Sequence, residues 1–297
     1  MDSKDVVVIG AGPAGIAAAI QLKRSNIEPV LFEKEEIGGL LRNANLVENY
    51  PGFPDGITGL DLVKLLEKQL KNTGVTVSFE SVSELDYRNE VFFTKTNRRT
   101  IRSNIAVIAT GTKPRKTSVI DVSDEIKSRV FYEIVPIIDS KKKKVAIIGA
   151  GDAAFDYALN LSKNNEVTIL NRSEQTGCLP LLWERYLKSE NISYLRNVTV
   201  ERIRKESNNL TIKCIIDDSQ KKIQIKSDYV IFATGREPCL DFLGNEFKKN
   251  FENLIKSNRF YMIGDVKNEL YRQAAISVGD GIKAAMKIYN TLGGYSV

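Results

Sequence analysis

The sequence predicts an α/β fold built from two related units, the second inserted into the first, and three observations carry that prediction. An apolar run, Val6-Val7-Val8-Ile9, meets Gly10-Ala11-Gly12-Pro13-Ala14-Gly15. A second run, Val145-Ala146-Ile147-Ile148, meets Gly149-Ala150-Gly151-Asp152-Ala153-Ala154. Beyond the end of the second unit, near Pro238, some 60 residues remain, too few for a domain of their own. In both glycine turns the first glycine makes the tight bend and the second lets a pyrophosphate approach the backbone. The third position, Gly15 or Ala154, packs the helix on its strand. The phosphates then lie at a helix N-terminus, where unpaired N–H groups favour negative charge. Two such fingerprints predict two Rossmann-like dinucleotide-binding domains.

The elements follow in order. A helix from Pro13 to Arg24 leads to the strand Pro29–Phe32, closed by Glu33. Short β-like runs at Val75–Phe79 and Val91–Thr96 read as a small antiparallel insertion, and a buried strand, Ala106–Ile108, ends in Thr110-Gly111. The second half repeats the plan: a helix from Ala153 to Ser162, the strand Val167–Leu170, then Arg172. Thr211–Ile216 and Lys222–Ile225 read as its antiparallel insertion, and Val230–Phe232 ends in Thr234-Gly235. The remaining strand, Phe260–Ile263, and a helix from about Arg272 to Tyr289 return to complete the first unit. The expected boundaries are 1–116 and 238–297 for the first domain and 117–237 for the second. The chain crosses between them near residues 112–117 and 235–239.

Composition narrows the function. No apolar run approaches the roughly 20 residues needed to span a bilayer, and Met1–Asp5 leads straight into a strand, so the expectation is a cytoplasmic protein without a leader. Histidine is absent, which excludes imidazole ligands and imidazole acid–base chemistry. Cys178, Cys214 and Cys239 are too dispersed for a zinc site or a disulfide framework. The net charge of +6 fits acidic partners or nucleotide substrates, and equally a lysine-rich surface. The one dense basic run, Lys141–Lys144, reads as a solvated strand edge, and nothing resembles a nucleic-acid site.

Glu33 and Arg172 occupy one position in the two units, since 33 − 10 and 172 − 149 both give 23. A carboxylate there accepts the free 2′-OH of FAD or NAD, whereas an arginine suits the 2′-phosphate of NADPH. The first unit thus favours an unphosphorylated ribose. The second takes NADPH or NADH. Asp265, after a strand and a glycine, is set to accept from a ribityl hydroxyl, and the helix near Arg272 aims its positive end at a flavin edge.

Further segments resemble the low-molecular-weight thioredoxin reductases, over about Asp5 to Leu292. They are Gly38-Gly39-Leu40, Val47-Glu48-Asn49-Tyr50-Pro51-Gly52-Phe53, and Gly264-Asp265-Val266 with Tyr271-Arg272-Gln273-Ala274. The resemblance implies FAD in the first unit, with Asn49 near the flavin ring, a pyridine nucleotide in the second, and a homodimer.

That family carries a Cys-x-x-Cys-Asp segment ahead of the second fingerprint. Here the matching stretch is Phe131–Ile137, with Glu133 and Pro136 at the cysteine positions and Ile137 at the acid. The expected function is an FAD-dependent NAD(P)H oxidoreductase without a redox disulfide. Its electrons pass to an external acceptor: an acidic ferredoxin or flavodoxin, a quinone, or dioxygen. The alternatives are a non-catalytic redox sensor or scaffold, and a disulfide reductase using another cysteine. Glu133 reads as a partly exposed loop carboxylate or, if burial raises its pKa, a proton relay.

Overall fold

The structure, a computed structural model, describes residues 3–115, 122–244, 247 and 251–293. The crossing residues 116 and 117 and the C-terminal 294–297 lie outside them.

The chain opens on β1 (Ser3–Ile9), α1 (Pro13–Arg24) and β2 (Pro29–Glu33). α1 buries Ala14–Ile20 and Leu22, so it is enclosed almost all round. α2 (Gly59–Asn72) follows, which the sequence reading missed. Thr58 caps it by accepting from the Asp61 N–H, and Leu62, Val63, Leu66 and Leu70 form its buried stripe. Next come β3 (Val77–Phe79), β4 (Val82–Arg88), β5 (Val91–Thr96) and β6 (Thr100–Ile108). β3 is not part of the antiparallel insertion expected for Val75–Phe79: it pairs parallel with β2 at the sheet edge, and the antiparallel strands are β4 and β5. β6 is longer than the buried run Ala106–Ile108 because its start serves the insertion. Thr100–Ser103 pair antiparallel with β5, while Arg102–Ile108 pair parallel with β1.

β7 (Thr112–Pro114) leads toward the second unit and pairs with the returning β16 (Arg236–Pro238). The second unit runs through β8 (Val130–Phe131), β9 (Lys144–Ile148), α3 (Asp152–Leu161) and β10 (Glu166–Leu170). It continues with α4 (Pro180–Leu187), β11 (Ile192–Leu195), β12 (Val198–Glu206), β13 (Asn209–Ile216), β14 (Lys221–Ser227) and β15 (Tyr229–Phe232). Its parallel sheet has the order β11-β10-β9-β15-β8, and β12-β13-β14 form a separate antiparallel sheet. α4 and β12 are further additions to the sequence reading. The alternation of β12 is broken where Val200 and Arg202 pair with adjacent partners, Cys214 and Lys213, leaving Glu201 as a bulge.

The return carries α5 (Phe251–Lys256), β17 (Phe260–Met262) and α6 (Ala274–Thr291). β17 pairs parallel with Ala106–Ile108 of β6, adding to the first sheet, whose order is β3-β2-β1-β6-β5-β4. α6 lies against α1 so closely that a Cβ on Gly281 would strike the Ala14 carbonyl. It starts at Ala274, leaving Arg272 and Gln273 in the extended segment before it.

The chain therefore divides into two compact units. One is Met1–Arg42, Val47–Lys113 and Glu237–Val297; the other is Asn43–Leu46 with Pro114–Arg236. Each has its own core. Val7, Phe32, Phe92, Ile108, Phe247 and Phe260 are central in the first, and Ile147, Phe155, Ile169 and Ile231 in the second. Among the described residues no helix is long and apolar enough to cross a membrane.

Candidate functional site

The two fingerprint turns are built alike. The N–H of Gly10 donates to the Phe32 carbonyl at 2.8 Å, and that of Gly149 donates to the Leu170 carbonyl at 2.9 Å. Both glycines have positive φ, +104° and +119°, where an L side chain is strained. A Cβ would also strike the carbonyl of Ala109 or Ala233. Gly12 and Gly151 are glycines for another reason. Their φ values, −75° and −92°, suit any residue, yet a Cβ there would project into open space with nothing within 4 Å. Each turn thus leaves a gap at the N-terminal end of α1 or α3, where unpaired N–H groups gather. Pro13 begins α1 at the position where its missing N–H costs nothing. At the third position Gly15 lies against the Gly10 carbonyl, while Ala154 is fully buried and its methyl is accommodated.

Around the first turn the fold gathers most of the expected residues. Glu33 ends β2 buried: one carboxylate oxygen accepts from the Ala11 N–H at 2.8 Å and the other from the Lys34 and Glu35 N–H groups. A carboxylate has about four lone-pair sites, so room remains for a ribose hydroxyl. Gly38 donates to the Ala11 carbonyl, and a Cβ on Gly39 would come 3.5 Å from the Gly12 Cα. Leu40 follows in the 3-10 turn Gly39–Asn43. Thr110 donates to the Cys239 carbonyl at 2.7 Å, and Gly111 accepts from the Cys239 N–H. Gly264, at φ +72°, approaches Ala14. Asp265 accepts from the Ser277 hydroxyl at 3.2 Å, and Asn49 donates to the Gln273 side-chain oxygen at 2.8 Å. This set of donors, acceptors and vacant glycine edges fits an FAD.

The sequence reading missed Asp280. Its carboxylate on α6 accepts from the Gly264 N–H at 3.1 Å, the Asn268 amide at 2.8 Å and the Lys267 ammonium at 3.2 Å. Burial pushes its pKa up, but these donors outweigh it and hold the carboxyl below its ordinary value. Nothing in the local pattern marks such a long-range clamp.

In the second unit Asp152 accepts from the Leu179 N–H at 2.7 Å, so it fixes the loop after β10, while Ala153 is exposed. Arg172 is exposed in that loop, beside the buried Asn171, which donates to the Gln175 carbonyl and the Tyr194 hydroxyl. Gly235, at φ +106°, accepts from the Arg115 N–H. The open edge at Gly151 and the cation at Arg172 fit a pyridine nucleotide.

Glu133 stands at 38% exposure and pairs with Arg236 at 3.2 Å. Asn43, nearly fully buried, accepts from the N–H groups of Ile134 and Val135 and so caps the 3-10 turn Val135–Ile137 that holds Pro136. None of the three cysteines is in a disulfide. Cys214 is buried within β13, and burial pushes its thiol up to about 11. A thiol so far above neutral pH is a poor nucleophile. Cys178 and Cys239 are half-buried.

Comparison with known proteins agrees with this architecture. A family model described as pyridine nucleotide-disulphide oxidoreductase matches residues 4–281. The thioredoxin reductase of Mycoplasma genitalium is 31% identical over 302 residues, covering 96% of this chain and 94% of that protein. Among solved structures, the thioredoxin reductase of T. acidophilum superposes with a TM-score of 0.84 at 27% identity, covering 98% of this chain and 99% of that one. That of Lactococcus lactis has a TM-score of 0.87 at 24% identity, covering 98% and 100%, and shares the fold. The chain belongs to the pyridine nucleotide-disulphide oxidoreductase family. Within it, the protein is a thioredoxin reductase-like, NAD(P)H-dependent FAD oxidoreductase.

Proposed function

We propose that this enzyme passes electrons from NADPH or NADH, through FAD, to an external acceptor without using a redox disulfide. The observation that carries the reading is the pairing of two complete nucleotide turns with three cysteines that never fall within four residues of one another. The bound cofactors supply the hydride chemistry themselves; the protein binds and orients them. In the first unit Gly10, Gly12, Pro13, Ala14 and Gly15 cradle the FAD pyrophosphate, and Glu33 holds the ribose. Gly39, Leu40, Asn49, Thr110, Gly111, Gly264, Asp265, Arg272, Gln273 and Ala274 surround the rest of the cofactor. In the second, Gly149, Gly151, Asp152, Ala153, Ala154, Arg172 and Gly235 take the pyridine nucleotide.

Glu133 and Pro136 occupy the place of the cysteine pair and leave no thiol to accept electrons. Glu133 is tied to Arg236, which favours a fixed carboxylate over a proton relay. The acceptor is an acidic ferredoxin or flavodoxin, a quinone, or dioxygen, and the enzyme works as a homodimer in the cytoplasm. An anaerobic panel of ferredoxin, flavodoxin, quinone and thioredoxin tests this. The reading requires turnover with one of the first three or, when air is admitted, with dioxygen, and efficient thioredoxin reduction overturns it.

A second reading, a disulfide reductase using Cys178 or Cys239, is favoured by the names of the relatives, which are thioredoxin reductases. Replacing all three cysteines by serine separates the two, because only this second reading predicts loss of turnover.

A further inference from the structure

The antiparallel sheet β12-β13-β14 has two contrasting faces. Ile203, Leu210, Ile212 and Cys214 are buried in the core of the second unit, with Ile223 and Ile225 packed against them. The opposite face follows from the register: Arg202 lies beside Lys213 and Gln224, Arg204 beside Thr211 and Lys226, and Ile215 beside Lys222. Five cations, Arg202, Arg204, Lys213, Lys222 and Lys226, therefore project from one face. Strands sit about 4.8 Å apart and rise about 3.4 Å per residue, which places the five within roughly 10 Å by 14 Å.

Like charges directly across a strand pair are destabilising, and Arg202 faces Lys213. Three other cations of this unit do find carboxylates: Lys144 pairs with Glu166, Lys205 of β12 with Glu125, and Arg196 with Glu174. Among the described residues none of the five makes an ion pair. Three carboxylates border the patch: Glu201 at the bulge, Glu206, which reaches back to accept from Thr211 between Arg204 and Lys226, and Asp217, which accepts from Thr199 beyond Ile215; none of them comes within ion-pair distance of the five. The fold thus gathers five cations on one face, with Arg202 and Lys213 directly opposed.

We propose that this face docks an acidic protein electron carrier. The inference rests on the proposed reading that electrons leave for an external acceptor. Transient electron-transfer contacts are small, burying less than about 1,200 Å² over both partners, and the patch would supply the charged centre of one side. Charge complementarity would speed the encounter. A single-stranded nucleic acid is the poorer occupant, because β12, β13 and β14 contain no aromatic residue on which a base could stack.

The test uses an acidic flavodoxin as probe, with both proteins oxidised so that binding is read without turnover. Calorimetry at low ionic strength compares the FAD-loaded wild type with R202E/R204E/K213E/K226E and with the same four positions changed to Gln. We expect wild-type affinity to fall steeply with salt, the Glu variant to lose at least tenfold, and the Gln variant to lose less, all at unchanged flavin content and circular dichroism. Equal flavodoxin binding by all three proteins overturns the proposal. So does a duplex oligonucleotide that binds the wild type more tightly than flavodoxin and is lost in the Glu variant. Anaerobic bleaching of the flavin by NAD(P)H is followed in parallel. If bleaching fails while binding is lost in the variant, the docking face stands and the electron-transfer reading falls. If bleaching proceeds and binding is unchanged, the docking face alone falls.

Discussion

Asn49 donates its side-chain amide to the Gln273 oxygen at 2.8 Å, joining positions 224 apart in sequence. Gln273 is the residue immediately before α6, so the bond ties the Asn49 segment to the start of that helix. In the proposed reading both residues border the flavin. A neutral hydrogen bond contributes about 0.5–1.5 kcal/mol net, so Asn49→Leu should weaken FAD binding roughly two- to tenfold. The pair is solvent-exposed, so the melting temperature should barely move. Fluorescence titration of the apoprotein with FAD checks this; unchanged affinity would put the pair outside the cofactor site.

Gly12 and Gly151 offer a cleaner separation. Both have room for a side chain and backbone angles that any residue adopts. Gly12→Val should yield a folded, colourless protein, because the new side chain would fill the proposed FAD pyrophosphate site. Gly151→Val should stay yellow and lose nucleotide affinity more than about a hundredfold, the scale of nearly 3 kcal/mol. Absorbance and circular dichroism of the two purified variants decide it.

This contrast marks how far the sequence was legible. The first helix was read at its actual ends, Pro13–Arg24, because the glycine turn and the apolar run bracket it. α2 was missed although Thr58 and Asp61 signal its cap and Leu62, Leu66 and Leu70 its buried face. β12 was missed because its bulge breaks the alternation and charged residues fill its outer face. The clamp by Asp280 and the cap by Asn43 were not legible at all. Each depends on a side chain meeting backbone groups far away in sequence, such as Asn43 with Ile134, 91 positions apart.

Arg172 is exposed and beside no other arginine in its loop. Arg172→Ala should weaken NADPH about tenfold, the lower end of a charge-assisted contact of about 1.5–3 kcal/mol, and leave NADH nearly unchanged. Steady-state KM values for both nucleotides test this. Equal losses would assign Arg172 to a shared part of the nucleotide or to folding.

Asp156 on α3 titrates unusually. Burial pushes its carboxyl up from 3.8 to about 6, against the Asn45 N–H and the charges of Lys163 and Arg185. A group whose folded pKa is raised binds its proton more tightly in the native state. Its favourable contribution is complete below pH 4 and disappears as pH rises through 6. The span of roughly two units corresponds to about 3 kcal/mol at most. Asp156→Asn keeps an acceptor for the Asn45 N–H, bonded at 2.9 Å, and removes the buried charge. It should be more stable than wild type at pH 8 by about 2–3 kcal/mol and gain nothing at pH 4. Urea unfolding at both pH values measures the difference.

The central claim concerns where the electrons stop. Anaerobic titration of the purified, FAD-loaded protein with NADPH, and with NADH, counts the electrons that it holds. An enzyme with no redox disulfide is fully bleached by one equivalent of nucleotide per flavin, and the variant with Cys178, Cys214 and Cys239 all changed to serine gives the same end point. An end point of two equivalents in the wild type, falling to one in the serine variant, would reveal a working disulfide and contradict the account.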